Sequence, residues 1–322
     1  MTSPPASGVE TLVQRAREGD ARAVGRLISL VENASPLLRD ATAALMPYVG
    51  HARVVGLTGS PGVGKSTTTS ALVSAFRARD LRVGVLAVDP SSPFSGGALL
   101  GDRVRMQDHA TDTGVFIRSM ASRGHLGGLS WSTPQALRVL DAAGCDVVLV
   151  ETVGVGQAEV EVASLADSTL VLVAPGMGDA IQAAKAGILE IADIFVVNKA
   201  DRDGADQAAR DLRHMLSLGE RRTADDWSPP VVKTVAARGE GIDDVVAALD
   251  KHHEWLVASG RLDAKRRVRA ADEIEAIAVT ALRERMGDLR GGSLLDELAG
   301  RVVGGDLDPY AAADALLDGL TR

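Results

Sequence analysis

Apolar positions divide the chain into three stretches of different period. Between residues 9 and 50 they recur at helical spacing: Leu12, Val13 and Ala16 share one face, and Val24, Leu27, Ile28 and Val31 share another. Gly19-Asp20 and Ser35-Pro36 read as the breaks between these helices. From about 52 to 250, short β-rich runs alternate with helical stretches. Strands are predicted at 53–57, 82–88, 115–117, 147–150, 169–173, 194–197 and 231–235. Such alternation predicts an α/β fold with a mostly parallel central sheet flanked by helices. Beyond 251 no strand pattern occurs. Ile274, Ile277, Ala281 and Leu282 keep helical spacing, as do Leu294, Leu295 and Leu298, with Gly291-Gly292 and Gly304-Gly305 as punctuation. The expected organisation is an N-terminal helical segment (1–50), a core domain (51–250) and a C-terminal helical extension (251–322). That extension has too little chain to bury its own faces, so it should pack on the core or on a second subunit.

Composition sharpens this picture. The chain is 46% hydrophobic and 24% charged but only 3% aromatic, so the core must be built from Val, Leu, Ile and Ala. Parallel strands covered by helices on both faces suit such a core. A formal charge of −8 argues against nucleic acid or an anionic membrane as the main partner. The single cysteine, Cys145, excludes an internal disulfide, and its place at the start of an apolar run reads as a buried structural thiol. No run has the length of a membrane span, and Met1 to Gly8 lack the apolar core of a signal peptide, so a cytoplasmic protein is expected. The basic cluster Lys265-Arg266-Arg267-Arg269 reads as a solvated helix face.

The strongest chemical signal is Gly59-Ser60-Pro61-Gly62-Val63-Gly64-Lys65-Ser66, followed by Thr67, between a predicted strand and a predicted helix. This is the phosphate-binding loop of a P-loop NTPase. Its glycines let backbone N–H groups turn inward around a phosphate, and the following helix N-terminus favours negative charge. Lys65 is expected to reach the β/γ oxygens, and the Ser66 hydroxyl to ligate Mg²⁺. Glu151, in Val150-Glu151-Thr152-Val153-Gly154, ends a neighbouring strand and is the expected acidic partner of the metal, directly or through water. Asp146 cannot replace it, because five strand residues carry Asp146 roughly 16 Å from that end. The Gly154 N–H is placed to meet a γ-phosphate, which would make the following loop a nucleotide sensor.

Asn198-Lys199-Ala200-Asp201 follows the strand at 194–197. A carboxylate there accepts from both N1–H and the 2-amino group of guanine, donors that adenine does not present. A site built on such bonds rejects the lacking base by roughly 10⁴-fold or more. Later, Val235-Ala236-Ala237 is expected to offer backbone N–H groups to the guanine O6. These motifs together predict a GTPase using GTP/GDP and Mg²⁺.

With these motifs in place, the chain resembles the MeaB/ArgK family of P-loop GTPases, the G-protein chaperones of adenosylcobalamin-dependent methylmalonyl-CoA mutase. The likeness runs from about residue 10 to at least 260. It lies in Val88-Asp89-Pro90-Ser91-Ser92-Pro93-Phe94-Ser95-Gly96-Gly97, in Leu100-Gly101-Asp102-Arg103-Val104-Arg105-Met106 and in Ile117-Arg118-Ser119-Met120-Ala121-Ser122-Arg123-Gly124-His125-Leu126-Gly127-Gly128. Glu151 to Gln157 and Pro175-Gly176-Met177-Gly178-Asp179 extend it, and the family carries Glu at the position of Glu151. The resemblance implies that Asp89 faces the metal or the attacking water and that Asp102 is a second metal-linked carboxylate. It implies that Arg105 supplies charge to the transition state and that Lys185 belongs to a third switch facing the mutase. The plainer readings are a capping Asp89, a solvated Asp102, and surface-paired Arg105 and Lys185. The family further implies a homodimer joined through the C-terminal helices.

Ras-like proteins place a water-orienting Gln directly after the glycine of this loop. Here that residue is Val155, with Gln157 two residues on, so a low basal rate that a partner raises is expected. The six histidines form no metal-ligand spacing, and a cobalamin-binding Asp-x-His-x-x-Gly motif is missing, so the cobalamin is expected to belong to the partner. Two other readings compete with this one. One is a kinase or energiser of a basic amino-acid (arginine/ornithine) transport system. The other matures a nickel enzyme, for which the usual His-rich stretches are lacking.

Overall fold

A computed structural model describes the chain except residues 1–7, 91–105, 110, 123–131, 153–157, 177–188, 219–225, 287–292 and 321–322. Among the described residues the apolar runs form seven strands: β1 (Arg53–Thr58), β2 (Val83–Pro90), β3 (Val115–Ser122), β4 (Val147–Thr152), β5 (Ser168–Val173), β6 (Ile194–Val197) and β7 (Val231–Lys233). They make one sheet in the order β3-β2-β4-β1-β5-β6-β7, with every neighbouring pair parallel. Each strand coincides with one predicted from the sequence. The helices are α1 (Gly8–Arg17), α2 (Ala21–Glu32), α3 (Leu38–Leu45), α4 (Lys65–Arg77), α5 (Thr133–Ala142) and α6 (Ala158–Leu165), then α7 (Ala205–Leu218), α8 (Ile242–Ala258), α9 (Arg261–Met286), α10 (Ser293–Val303) and α11 (Pro309–Leu320).

Strand periodicity sorts the side chains between the two faces. Val54, Leu86, Val88, Val148 and Val150 pack with α1, α2, α3, α5 and α6. Their neighbours Val55, Leu57, Val85, Val147 and Leu149 pack with Leu72, Val73 and Phe76 of α4 and with Val245, Val246 and Leu249 of α8. Both faces are therefore covered, which explains why β4 is buried along its whole length. Cys145 is buried among these residues, and burial pushes its thiol up to about 12, as an inert structural thiol requires. The N-terminal helices break where Gly19 and Asp20 stand. The Asp20 carboxylate caps α2 by accepting the N–H groups of Arg22 at 2.9 Å and Ala23 at 3.2 Å. Arg118 of β3 pairs with Glu32 of α2 and fastens that helix to the sheet edge.

The chain divides into two compact units, 1–269 and 270–322. In the second, Ile274, Leu282, Val303 and Tyr310 are exposed, while Leu298 is buried.

The basic cluster at 265–269 is not the solvated face that its sequence suggests. Arg266 and Arg269 converge on the carboxylate of Asp167, which is 2% exposed, at 3.0 and 2.9 Å. Arg266 also donates to the carbonyls of Gly50 and Ala52, at 2.7 and 3.0 Å. Lys265 donates to the Asp167 carbonyl at 3.2 Å. Asp167 precedes β5 and accepts the N–H of Val54. A carboxylate buried there requires compensating charge, and the root of α9 supplies it. Of the four, Arg267 remains exposed.

Candidate functional site

All seven strands run the same way, so the loops after β1, β4, β5, β6 and β7 gather at one edge of the sheet. The loop after β1 passes from Gly59 to Gly64 and enters α4 at Lys65. Gly59 and Gly64 have φ of 138° and 99°, a region that residues with a Cβ rarely adopt. Space demands glycine at both as well. A Cβ on Gly59 would run into the carbonyl of Leu172, and one on Gly64 into the Asn198 amide. Lys65 is buried, and its ammonium donates to the carbonyls of Gly59 at 2.5 Å and Ser60 at 3.2 Å. A cation inside a loop that opens onto a helix N-terminus makes a concave anion site.

Glu151 lies beside this loop because β4 neighbours β1, with Glu151 opposite Leu57. The carboxylate is buried and accepts from the Ser66 hydroxyl. Thr69, one turn along α4, places Oγ1 3.0 Å from both the second Glu151 oxygen and the Lys65 carbonyl. The motif did not single out Thr69, although its three-residue spacing from Ser66 puts both on one helix face. Ser66 and Glu151 thus offer a hydroxyl and a carboxylate together, the hard oxygen set that suits Mg²⁺. Among the described residues no group of three or more His, Cys, Asp or Glu side chains could hold a metal. Asp146 stands at the opposite end of β4 and accepts the N–H of Arg82 at 2.7 Å, as strand length requires. On β2, Ala87 pairs with Glu151, so the backbone of Asp89 reaches the same edge two residues further on. Asp102, Arg105, Gly154, Val155, Gln157 and Lys185 lie outside the described residues.

The loop after β6 closes the site from the other side. Asn198 is buried and donates Nδ2–H to the Val63 carbonyl at 2.8 Å. Its Oδ1 accepts from the Thr234 hydroxyl and the Ala236 N–H, each at 3.1 Å. One amide therefore ties the phosphate loop to the loop after β7. Lys199 has φ of 57°, and this turn sends its ammonium back to the Gly62 carbonyl at 2.6 Å. Val235, Ala236 and Ala237 form the stretch expected to present backbone N–H groups to the base. Here Val235 N–H is bonded to the Glu240 carbonyl and Ala236 N–H to Asn198, while Ala237 is exposed. Asp201 is exposed, and its carboxylate lies 3.6 Å from Arg238, a residue that sequence patterns did not mark. A cavity of about 800 Å³ runs along α4, with Ser66, Thr67, Ser70, Ala236 and Ala237 among its lining residues.

This edge therefore combines an anion cradle, a hydroxyl–carboxylate pair and a solvent-facing carboxylate on a separate strand loop. Residues 24–289 match the family described as methylmalonyl Co-A mutase-associated GTPase MeaB. A Pyrococcus abyssi protein carrying a provisional GTPase name is 48% identical over 311 residues, 96% of each chain. The GTPase ArgK of Escherichia coli is 40% identical over 267 residues, covering 81% of this chain and 80% of its own. The mouse mitochondrial methylmalonic aciduria type A homolog is 40% identical over 214 residues, 66% of this chain and 52% of its own. Among solved structures, that of an LAO/AO transport system kinase superposes with a TM-score of 0.74 at 28% identity, covering the whole of both chains.

Proposed function

The chain belongs to the MeaB family of methylmalonyl-CoA mutase-associated GTPases, and from that premise we propose that it hydrolyses GTP to GDP and phosphate as the gatekeeper of cofactor loading in an adenosylcobalamin-dependent methylmalonyl-CoA mutase. The observation that carries the hydrolase reading is the convergence of Lys65, Ser66 and Glu151 on the helix N-terminus that follows β1. In this reading the loop N–H groups of residues 59–67 cradle the phosphates, and Lys65 compensates charge on the β/γ oxygens. Ser66 and Glu151 would hold Mg²⁺, with Asp89 and Asp102 as further carboxylates toward it. Bound there, the metal would neutralise charge on the phosphates. Arg105 is proposed to stabilise the charge of the transition state, and Gly154 to sense the γ-phosphate. Asn198, Lys199 and Asp201 form the base side, with the Asp201 carboxylate accepting the two guanine donors and Ala237 N–H facing O6.

Val155, in the position of a water-orienting glutamine, supports a low basal rate that the partner raises. The exposed Ile274, Leu282 and Tyr310 support a homodimer through the C-terminal helices. A net charge of −8 supports neither nucleic acid nor a membrane as partner, and no described helix is long and apolar enough to cross one. A cytoplasmic setting accords with both. The name of the LAO/AO structure favours a second reading, a kinase of basic amino-acid transport.

The test of the base assignment is Asp201→Asn, which should move preference from GTP to xanthosine triphosphate. Hydrolysis of ATP as readily as GTP by the unaltered protein would overturn it and favour the kinase. The client is tested by co-purification with candidate mutases in GTP-analogue and GDP states. The GTPase rate should rise when the correct mutase is added.

A further inference from the structure

We infer that Arg238 is a positioning residue for the base-reading carboxylate of Asp201, an inference that rests on the guanine reading above. Arg238 ends a short helical turn (Ala236–Arg238) after β7, and its guanidinium is braced before it meets Asp201. Nε donates to one Glu240 carboxylate oxygen at 2.8 Å, and a terminal nitrogen to the other at 3.3 Å. The backbone beneath is closed on itself. Arg238 N–H donates to the Val235 carbonyl at 2.8 Å, Val235 N–H donates to the Glu240 carbonyl at 3.0 Å, and Val235 and Glu240 form an antiparallel bridge. The remaining terminal nitrogen lies 3.6 Å from Asp201 Oδ2.

Two consequences follow from this geometry. An exposed ion pair normally contributes little because two long side chains must be ordered to make it. Here the two-point contact with Glu240 has already ordered the arginine, so holding Asp201 costs little further entropy. At 3.6 Å the contact to Asp201 is an attraction between charges rather than a hydrogen bond, so the oxygen stays open to a donor from the base. Two donors on one heterocyclic edge must meet both carboxylate oxygens at once, which requires the plane of the carboxylate to be fixed. Arg238 fixes it from the side, and does so from the loop that carries Ala237. The loops after β6 and β7 are thereby locked together at the base as well as through Asn198.

The experiment is a double-mutant cycle read by equilibrium binding of diphosphates. Arg238→Ala should weaken GDP binding by about two- to fivefold, the range of a well-held exposed pair. Inosine diphosphate, which lacks the 2-amino donor and makes one bond to Asp201, should lose less. Glu240→Gln, which loosens the brace, should shift GDP in the same direction by a smaller factor. In the Asp201→Asn background, where the charge is gone, Arg238→Ala should leave xanthosine diphosphate affinity unchanged. Equal losses for GDP and inosine diphosphate, additivity of the two substitutions, or tighter GDP binding by Arg238→Ala would each overturn the inference. A wild-type protein that binds ADP as well as GDP, or an Asp201→Asn variant without a gain for xanthosine diphosphate, would instead remove the guanine reading itself. The unfolding midpoint of Arg238→Ala should match wild type, since the side chain is 54% exposed.

Discussion

Asn198 offers the most direct test of how the site is held together. Replacing it with alanine removes three bonds: Nδ2–H to the Val63 carbonyl at 2.8 Å, and Oδ1 from the Thr234 hydroxyl and the Ala236 N–H at 3.1 Å. Asn198 and Thr234 are buried, so water cannot fully replace what is lost. At about 1 kcal/mol net per bond, the expected destabilisation is about 3 kcal/mol, even without nucleotide. The assay is denaturant unfolding in the absence of nucleotide, paired with the GDP dissociation constant. The midpoint should fall at unchanged slope, and GDP affinity should fall too, because the phosphate loop and the base loop lose their common tie. Asn198→Asp keeps the acceptor for Thr234 and Ala236 but turns an oxygen without a hydrogen toward the Val63 carbonyl. It should therefore lose at least as much as Asn198→Ala, despite retaining two of the three bonds. If Asn198→Ala unfolded within about 0.5 kcal/mol of wild type while GDP affinity alone fell, the tie would not be a feature of the folded protein and the reasoning would fail.

Three further outcomes are expected. Gly64→Ala should weaken GDP binding more than tenfold, because the left-handed φ of 99° costs about 1–2 kcal/mol with a Cβ and the added carbon displaces Asn198; binding within twofold of wild type would contradict this. Asp167→Ala should destabilise the protein by about 3–5 kcal/mol in denaturant unfolding, since it leaves Arg266 and Arg269 facing each other at a buried site; a loss below about 1 kcal/mol would return these arginines to an ordinary surface role. His252 is fully buried between Ser168 and Asp193, and burial lowers its pKa from 6.5 to about 4, partly opposed by Asp193. Because the folded value is depressed, its contribution is complete above about pH 6.5 and declines as pH falls toward 4, by up to about 3 kcal/mol. Unfolding midpoints at pH 7.5 and 5 should show this decline, and His252→Gln should remove part of it; an equal decline in both proteins would exclude the imidazole as its source.

What the sequence determined by itself is the part of this protein written in short-range pattern. Short, nearly continuous apolar runs separated by helical stretches marked the strands, because a strand covered on both faces must be apolar along most of its length. The glycines at 59 and 64, Lys65 and Ser66 were legible because backbone conformation and phosphate chemistry restrict those positions to a few residue types. Glu151 followed from its place in the run Glu151-Thr152-Val153-Gly154 at a strand end, and strand direction excluded Asp146 at the other end of β4.

What tertiary structure decided is which distant groups meet, and this depends on strand order, which periodicity does not encode. Placing β1 between β4 and β5 brought Thr69 to Glu151 and Asn198 to Val63. The antiparallel return after β7 engaged the N–H of Val235 and delivered Arg238 to Asp201, while the N–H of Ala236 went to Asn198 from the loop after β6. The arginines of 265–269 show the same limit. A run of charge reads as solvated until the fold places a buried carboxylate, Asp167, about a hundred residues earlier in the chain, beneath it. Local sequence fixes backbone geometry and chemical type, whereas pairing across the sheet follows from the packing that compensates buried groups such as Asn198 and Asp167.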